Sequence, residues 1–579
     1  MHLRSFSAPG ALLLSIVACS TTDGSTPAAS VNVGPAELTT SAAASSDHHG
    51  QSSGPSFTPV ANAVAKTVGV SAPNVLPPEF FETAVAQGSI PLENPATVPL
   101  PDGTTSTLPF YGYSGDGPLL PAPGAVPSDT AIIEATKTEP DKNTYLVLSN
   151  QVGADADYDY GTHFIFQGHE SGTSGMITRV NLDADNAHKV TVLASTLSDG
   201  TTPVPIIDGS TWDPFAQKLL FTTENDTPGI SIVQASLEFP SSVDNLAGSF
   251  GIAAYEGVQN DSDGNVWLVE DSGGPTSTTY PHSKQPNSFV YRFVPNHSND
   301  LTRGKLQALQ VISLQNGMPI VFHAGQSAAD AASADVGDLH TYGKSFKTHW
   351  VTIHDTSVDG TAAFDANALA KTKQATPFKR PENGQFRPGT NFGEFYFDET
   401  GDTDIRTEVG APFGGFGSIL KLSQSRCSSN DGTLTLFYLS DAAHAGFDNV
   451  GFWSKNEVVF VEDAGDTLHT QRNALDSAWF FDVRTDYSKK GAAPVRLFAE
   501  GRDPSATLDS AFGAFSGFQN EGDNEITGFH VSNGDPSTNG ILGAQSPSVF
   551  SHGWRVFYTQ QHGENYLWEI LKKQSSSDD

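Results

Sequence analysis

Positive charge is scarce in this chain. Its 579 residues include 31 Lys and Arg against 65 Asp and Glu, a formal charge of −34. Nucleic acid is thereby excluded as a partner, because a phosphate backbone requires a basic face. Cysteine is nearly absent, with only Cys19 and Cys427, so no thiolate cluster can form. There is no G-x-S-x-G, H-E-x-x-H or P-loop, which removes the commonest hydrolase and nucleotide-binding chemistries. Helical periodicity is confined to Pro78 to Gln87 and roughly Phe364 to Gln374. Beyond the first nineteen residues no apolar run is long enough to span a bilayer.

What is present begins with a targeting pattern. Arg4 precedes an apolar stretch from Ala11 to Ala18, and Ile16-Val17-Ala18-Cys19 ends it as a bacterial lipoprotein signal would. Residues 1–19 are therefore expected to be a signal, with Cys19 lipidated and the protein held in the cell envelope, or else secreted. Its contact with a membrane would be through that anchor alone. A single arginine is not a twin-arginine signal, so any metal would be loaded after export. With Cys19 committed to lipid, Cys427 has no disulfide partner. Residues 20–75 are Ser, Thr, Ala and Pro rich and read as a disordered tether. Residues 76–579 form the folded domain.

That domain is a succession of short strands such as "NTYLVLS", "KLLFTTE", "NEVVFVED" and "WRVFYTQQH", broken by Gly, Asp, Asn and Pro. So many strands over some five hundred residues predict an all-β fold, either a β-propeller or a very large sandwich. A recurring hairpin favours the propeller, with six blades, insertions and a few short helices. In "YEGVQNDSDGNVWLVEDSGG", Glu256 and Glu270 are equidistant from Asp263 in the turn. Asp208 and Glu224, Glu382 and Asp398-Glu399, and Asp448 and Glu462-Asp463 flank similar turns. Folding at the turn returns both acids to one edge, and a ring of blades would bring the edges together. A solvated rim explains any one such pair. Four in one chain point to a cation, and Ca²⁺, which takes six to eight oxygen ligands, relieves the repulsion between them. "DADYDYG", from Asp155 to Gly161, fails as an EF-hand because Tyr160 replaces the turn glycine.

Several segments in order, among them "YGTHFIFQGHE", "GSTW", "FKRPENGQF", "FDNVGFWSKNEVVFVED", "EITGFHVSNGD" and "YTQQHGEN", resemble the PhoX-type alkaline phosphatases. These are exported bacterial propellers that use calcium and iron. The resemblance implies Glu256 and Glu382 as leading metal ligands, with Glu224, Glu270, Asp448, Glu462 and Glu525 as further ones. It implies Arg380 as the residue that holds substrate phosphate, a task suited to its planar fork. Trp212 would lie near the substrate and His562 would contact metal or phosphate. Residue by residue, a structural Arg380–Glu382 pair, a core Trp212 and a packed His562 are the competing roles. The chain also departs from the family pattern. Thr223 stands where the family has a cysteine and Asn225 where it has a second glutamate. A thiolate-bridged iron pair is therefore not supported, although Fe³⁺ or another transition metal belongs to the family's cofactors.

The resulting expectation is a metal-dependent phosphatase that hydrolyses extracytoplasmic phosphate monoesters for phosphate acquisition, acting as a monomer on a small-molecule ester. Two alternatives stay open: a non-catalytic calcium-binding surface propeller, and a calcium-dependent esterase or lactonase.

Overall fold

A computed structural model describes residues 55–67, 70–99, 104–113, 137–170, 175–224, 229–503 and 525–574. The expected signal with Cys19, most of the tether's N-terminal part, and Asn225 lie outside the described residues. The chain divides after Gln51, and the unit from Ser52 onward carries all of the described residues.

Antiparallel sheets account for nearly all of this unit. One holds Pro140–Val147, His163–His169, Ile177–Asn181 and Val190–Ala194 in sequential order. A second holds Ser210–Asp213, Lys218–Thr222, Ile232–Ala235 and Val243–Asn245. A nine-stranded sheet begins with Tyr255–Asn260 at one edge and ends with Gly384–Phe386 at the other. A further sheet runs from Phe447–Phe452 to Val495–Ala499. In the last, Ile526–Ser532, Arg555–Gln560 and Tyr566–Lys572 are completed by Phe80–Ala86 from the start of the domain. The two ends of the domain are thus closed by backbone hydrogen bonds in one sheet, which removes a free edge.

Among the described residues six strands meet in cyclic order: Pro140–Val147, Ser210–Asp213, Tyr255–Asn260, Gly384–Phe386, Phe447–Phe452, Ile526–Ser532 and back to the first. This is the inner wall of a β-propeller. Apolar side chains fill the spaces between sheets, as where Phe164, Ile207, Leu219 and Val233 pack together. No helix among the described residues is long and apolar enough to cross a membrane.

One helix expectation fails. "FFETAVA" is the strand Phe80–Ala86, with its ends Phe80 and Ala86 buried. Pairing with Tyr566–Lys572 satisfies its backbone, and tertiary hydrogen bonding overrides the local preference. The second expectation corresponds to the helix Ala366–Thr372, capped by the Asp365 carboxylate, which accepts from the Ala368 amide.

The hairpin from Tyr255 to Glu270 is organised by Asp261 rather than by Asp263. Asp261 is buried and accepts from the amides of Asp263 at 2.9 Å and Asn265 at 3.0 Å, and from Trp267 Nε1 at 2.8 Å. Trp267 in turn packs edge-on against Trp350 at 5.0 Å. Asp261→Ala leaves the buried Asn265 amide and Trp267 indole unsatisfied, so it is expected to destabilise the fold by about 2–4 kcal/mol. Urea denaturation with an unchanged m-value is the check, and an unchanged midpoint would contradict this account of the turn.

Candidate metal centre

Three inner strands carry the same irregularity near their start. Pairing with the following strand is interrupted between Pro140 and Asn143, between Tyr255 and Val258, and between Phe447 and Val450. Bulges of this kind re-aim a side chain. The residues they re-aim are Asp141, Glu256 and Asp448, all buried. A fourth interruption, between Thr527 and His530, contains Gly528 at φ +60. A Cβ there would lie 2.7 Å from Asn143 Nδ2, so glycine lets the neighbouring inner strand approach.

The register also decides which acids face one another. Tyr255 is directly opposite Glu270, and opposite residues of an antiparallel pair share a face. Glu256, next to Tyr255, therefore faces the other way, and Asp271 faces with it. Phe447 stands opposite Glu462 in the same manner, which separates Glu462 from Asp448.

Two groups of carboxylates result. Glu224, Glu256, Asp271 and Glu382 each offer an oxygen, all within 4.8 Å of one another, and Asp141, Glu170 and Asp208 form a second such group. Beside the first group is Asn383, whose Nδ2 donates to Glu256 Oε1 at 3.0 Å and lies 3.3 Å from Asp448 Oδ1. The Lys142 ammonium, also buried, donates to Asn383 Oδ1. Arg380 closes the first group: its Nε and Nη2 donate to Asp271 at 2.6–3.0 Å, and Nη2 is 3.1 Å from Glu382 Oε1.

Burial and mutual repulsion raise the proton affinity of these groups. Burial, then Glu382 and Asp208, pushes Glu256 well above the usual carboxylate range. Burial and Asp271 push Glu382 up to about 8 despite Arg380. Glu224 is raised by burial and by Asp271, and Asp141, Glu170 and Asp208 are raised by burial and by one another or neighbouring acids. Asp271 alone is lowered, because the Arg380 guanidinium outweighs its burial. Glu256 Oε2 is buried and accepts no hydrogen bond, and Glu382 Oε1 accepts none beyond its ion pair with Arg380. Unbonded, buried, mutually repelling oxygen donors fit a hard cation of the calcium type.

The sequence-derived candidates divide between these groups and their surroundings. Glu224, Glu256 and Glu382 lie in the first group. Asp448 adjoins it through Asn383. Glu525 lies 3.2 Å from His562 Nε2, and His562 Nδ1 is 3.7 Å from Glu139. Burial opposes protonation of His562, but Glu139 and Glu525 hold its pKa well above the ordinary value.

Three placements correct the expectation. Glu270 is outside both groups, satisfied by the Phe289 amide, the Tyr291 hydroxyl and Asn367 Nδ2. Glu462 accepts from the Ser477 amide at 3.1 Å and pairs with Arg472 at 3.2 Å. Both are turned away by strand alternation. Trp212 is a core residue: it packs with Phe221 and Ile207, and its indole donates to the Pro536 carbonyl at 2.8 Å. The cavity beside it, of about 20 Å³, has room for a single water and not for a phosphate ester.

Asp271, Asp141 and Glu170 were missed. Asp271 is adjacent to Glu270, and register alone separates the two. Asp141 and Glu170 obey the same hairpin pattern, but a long connection from Leu148 to Thr162 carries them outside the spacing that marks the others. No thiolate reaches either group among the described residues. Cys427 is buried at the turn end of the hairpin, 3.5 Å from Ser262, and burial raises its thiol to about 11.

Residues 265–533 match the family model of alkaline phosphatase PhoX. That stretch, a little under half of the chain, is similar to the PhoX family. It contains Asp271, Arg380, Glu382 and Asp448, whereas Glu224, Glu256 and the second carboxylate group precede it. The match supports a phosphatase-type enzyme. No curated protein matches the chain. Among solved structures, Pseudomonas fluorescens PhoX in complex with vanadate is 11% identical, with 88% of this chain and 98% of that chain covered and a TM-score of 0.47. The WD40 domain of Toxoplasma gondii coronin is 9% identical, with coverages of 90% and 91% and a TM-score of 0.32.

Cation binding to the folded state should be visible as stability. At free calcium about 100 times the dissociation constant, chelated protein is expected to gain about 2.7 kcal/mol, read as a rise in Tm. A Tm indifferent to both chelator and calcium would show that the carboxylates hold no such ion.

Proposed function

We propose that this protein is a metal-dependent phosphatase that hydrolyses small phosphate monoesters outside the cytoplasm and releases phosphate for uptake. The observation that carries the reading is the meeting of four carboxylates, three of them buried or nearly so, with an arginine, within and beside the stretch that matches PhoX. Glu224, Glu256, Asp271 and Glu382 would hold the metal, with Asp141, Glu170 and Asp208 as a second site. Their oxygen-only donor set favours calcium, and the threonine at position 223 argues against a thiolate-bridged iron pair. When bound there, divalent cations supply Lewis acidity, neutralising phosphate charge and making water more acidic.

The chain's own residues do the rest. Arg380 spends Nε and Nη2 on carboxylates, which fixes the guanidinium plane and leaves Nη1 to donate to a phosphate oxygen. His562, half-exposed between Glu139 and Glu525, which favour its protonated form, would be the donor of a proton to a leaving alkoxide. Export by a lipoprotein signal, with Cys19 as the lipid anchor, and action as a monomer belong to the same reading. A calcium-stabilised surface propeller without turnover is the second reading, favoured by Thr223.

Elemental analysis beside hydrolysis of p-nitrophenyl phosphate tests the proposal. Wild-type protein should carry stoichiometric metal and turn over. Glu382→Ala should lose metal from the first group, and turnover should fall by about 100-fold or more. Arg380→Lys, which removes the fork, should lower kcat/KM by about 100-fold with metal retained. Metal-replete wild type without turnover would leave the surface propeller in its place.

A further inference from the structure

A cavity of about 330 Å³ lies against the outer strand Val495–Ala499 and plays no part in the chemistry above. The N-terminal arm of the domain forms one side of it. The Val60 amide donates to the Arg496 carbonyl at 3.0 Å and the Leu475 amide donates to the Val64 carbonyl at 2.8 Å. Ala63, within that arm, lines the cavity, and Ala442, Ala443, Ala474 and Leu475 complete an apolar wall. The polar lining is Glu462, Arg472, Ser477 and Arg496. Apolar walls with a few grouped polar atoms, at a volume near the lower end for ligand pockets, are the features of a small-molecule site.

Three of the polar side chains are charged, and two of them cancel. Glu462 Oε1 is 3.2 Å from Arg472 Nη1, and Oε2 is 3.4 Å from Nη2 and accepts from the Ser477 amide at 3.1 Å. Behind them Asp476, 3.9 Å from Arg472, is paired with His469 at 2.8 Å. Arg496 has no such partner: among the described residues it forms no ion pair, in a chain with 65 acids. Neutral groups hold it instead. Its Nε donates to Ser477 Oγ at 2.9 Å, its Nη1 donates to the Ala61 carbonyl at 3.0 Å, and the guanidinium lies 4.3 Å from the centre of the Trp479 ring. Among the described residues Arg496 Nη2 has no acceptor, and the proton of the buried Ser477 hydroxyl has none either. The lining therefore carries one uncompensated positive charge and two open donors, both fixed in advance of a ligand. An anion there gains charge-assisted hydrogen bonds. The apolar walls make a second negative charge costly to desolvate, which favours a carboxylate over a phosphate dianion.

We propose that this cavity binds a small organic carboxylate, whose oxygens accept from Arg496 Nη2 and the Ser477 hydroxyl while its apolar body packs on the alanine and leucine wall. The site is separate from both carboxylate groups and does not rest on the phosphatase reading.

Calorimetric titration of the full chain with hexanoate is the test, with hexanol and inorganic phosphate as comparison ligands. Hexanoate should bind the wild type saturably, about tenfold or more tighter than either comparison ligand. Arg496→Gln should weaken hexanoate binding by about tenfold or more. Because Arg496 also holds the arm, Ala442→Leu is the second variant: it keeps every polar group and fills the cavity. Its hexanoate affinity should fall by about tenfold with a cooperative thermal transition retained, which also separates this cavity from binding at the metal centre. The inference is overturned by a wild type without saturable hexanoate binding, by hexanol or phosphate bound as tightly, or by an affinity that Ala442→Leu leaves unchanged.

Discussion

Buried carboxylates that face one another are the constraint on which this structure depends. Six inner strands converge on an axis, and Asp141, Asp208, Glu256, Glu382 and Asp448 lie at or just before the starts of five of them. Burial removes the water that would screen them, so each raises the proton affinity of the next. The fold can exist in that form only if protons, internal cations or bound metals neutralise the charge.

Internal cations do part of this work and define the geometry of what remains. Lys142 and Asn383 link Glu256 to Asp448 across the axis, and Arg380 takes Asp271 and approaches Glu382. Lys379 is spent on Asp402, with both side chains essentially inaccessible. Neutralisation stops short in the first carboxylate group, where Glu256 Oε2 is buried without a hydrogen bond and Glu382 Oε1 has only the Arg380 guanidinium, at 3.1 Å. Buried carboxylate oxygens that outnumber their protein partners distinguish a ligand site from a structural ion-pair network.

Much of the architecture was legible in the residues. Alternating short runs such as "NEVVFVED" and "WRVFYTQQH" became strands because half-buried sheets require that period. The hairpin acids also reached one edge, since the number of residues on each side of a turn fixes how far each arm returns. Which face they occupy was not legible. A bulge between Tyr255 and Val258 sets Glu256 opposite in facing to Glu270, and selects Asp271 in its place. One residue of register reverses every side chain of a strand, and nothing in "VEDSGG" announces the reversal. The strand Phe80–Ala86 was illegible for a related reason, because its partner lies almost five hundred residues away.

By itself, then, the sequence determined the class of fold, the excess of acids, the absence of a usable thiolate near them, and the presence of Arg380 beside Glu382. These arise from composition and local spacing, which no distant contact can change. The tertiary structure decided the rest: that Glu224 from one sheet meets Glu256, Asp271 and Glu382 from another, and that Asp141 joins Glu170 and Asp208. Those groupings come from closing a ring of sheets, where residues far apart in the chain are brought within a few ångströms by strand register and bulges.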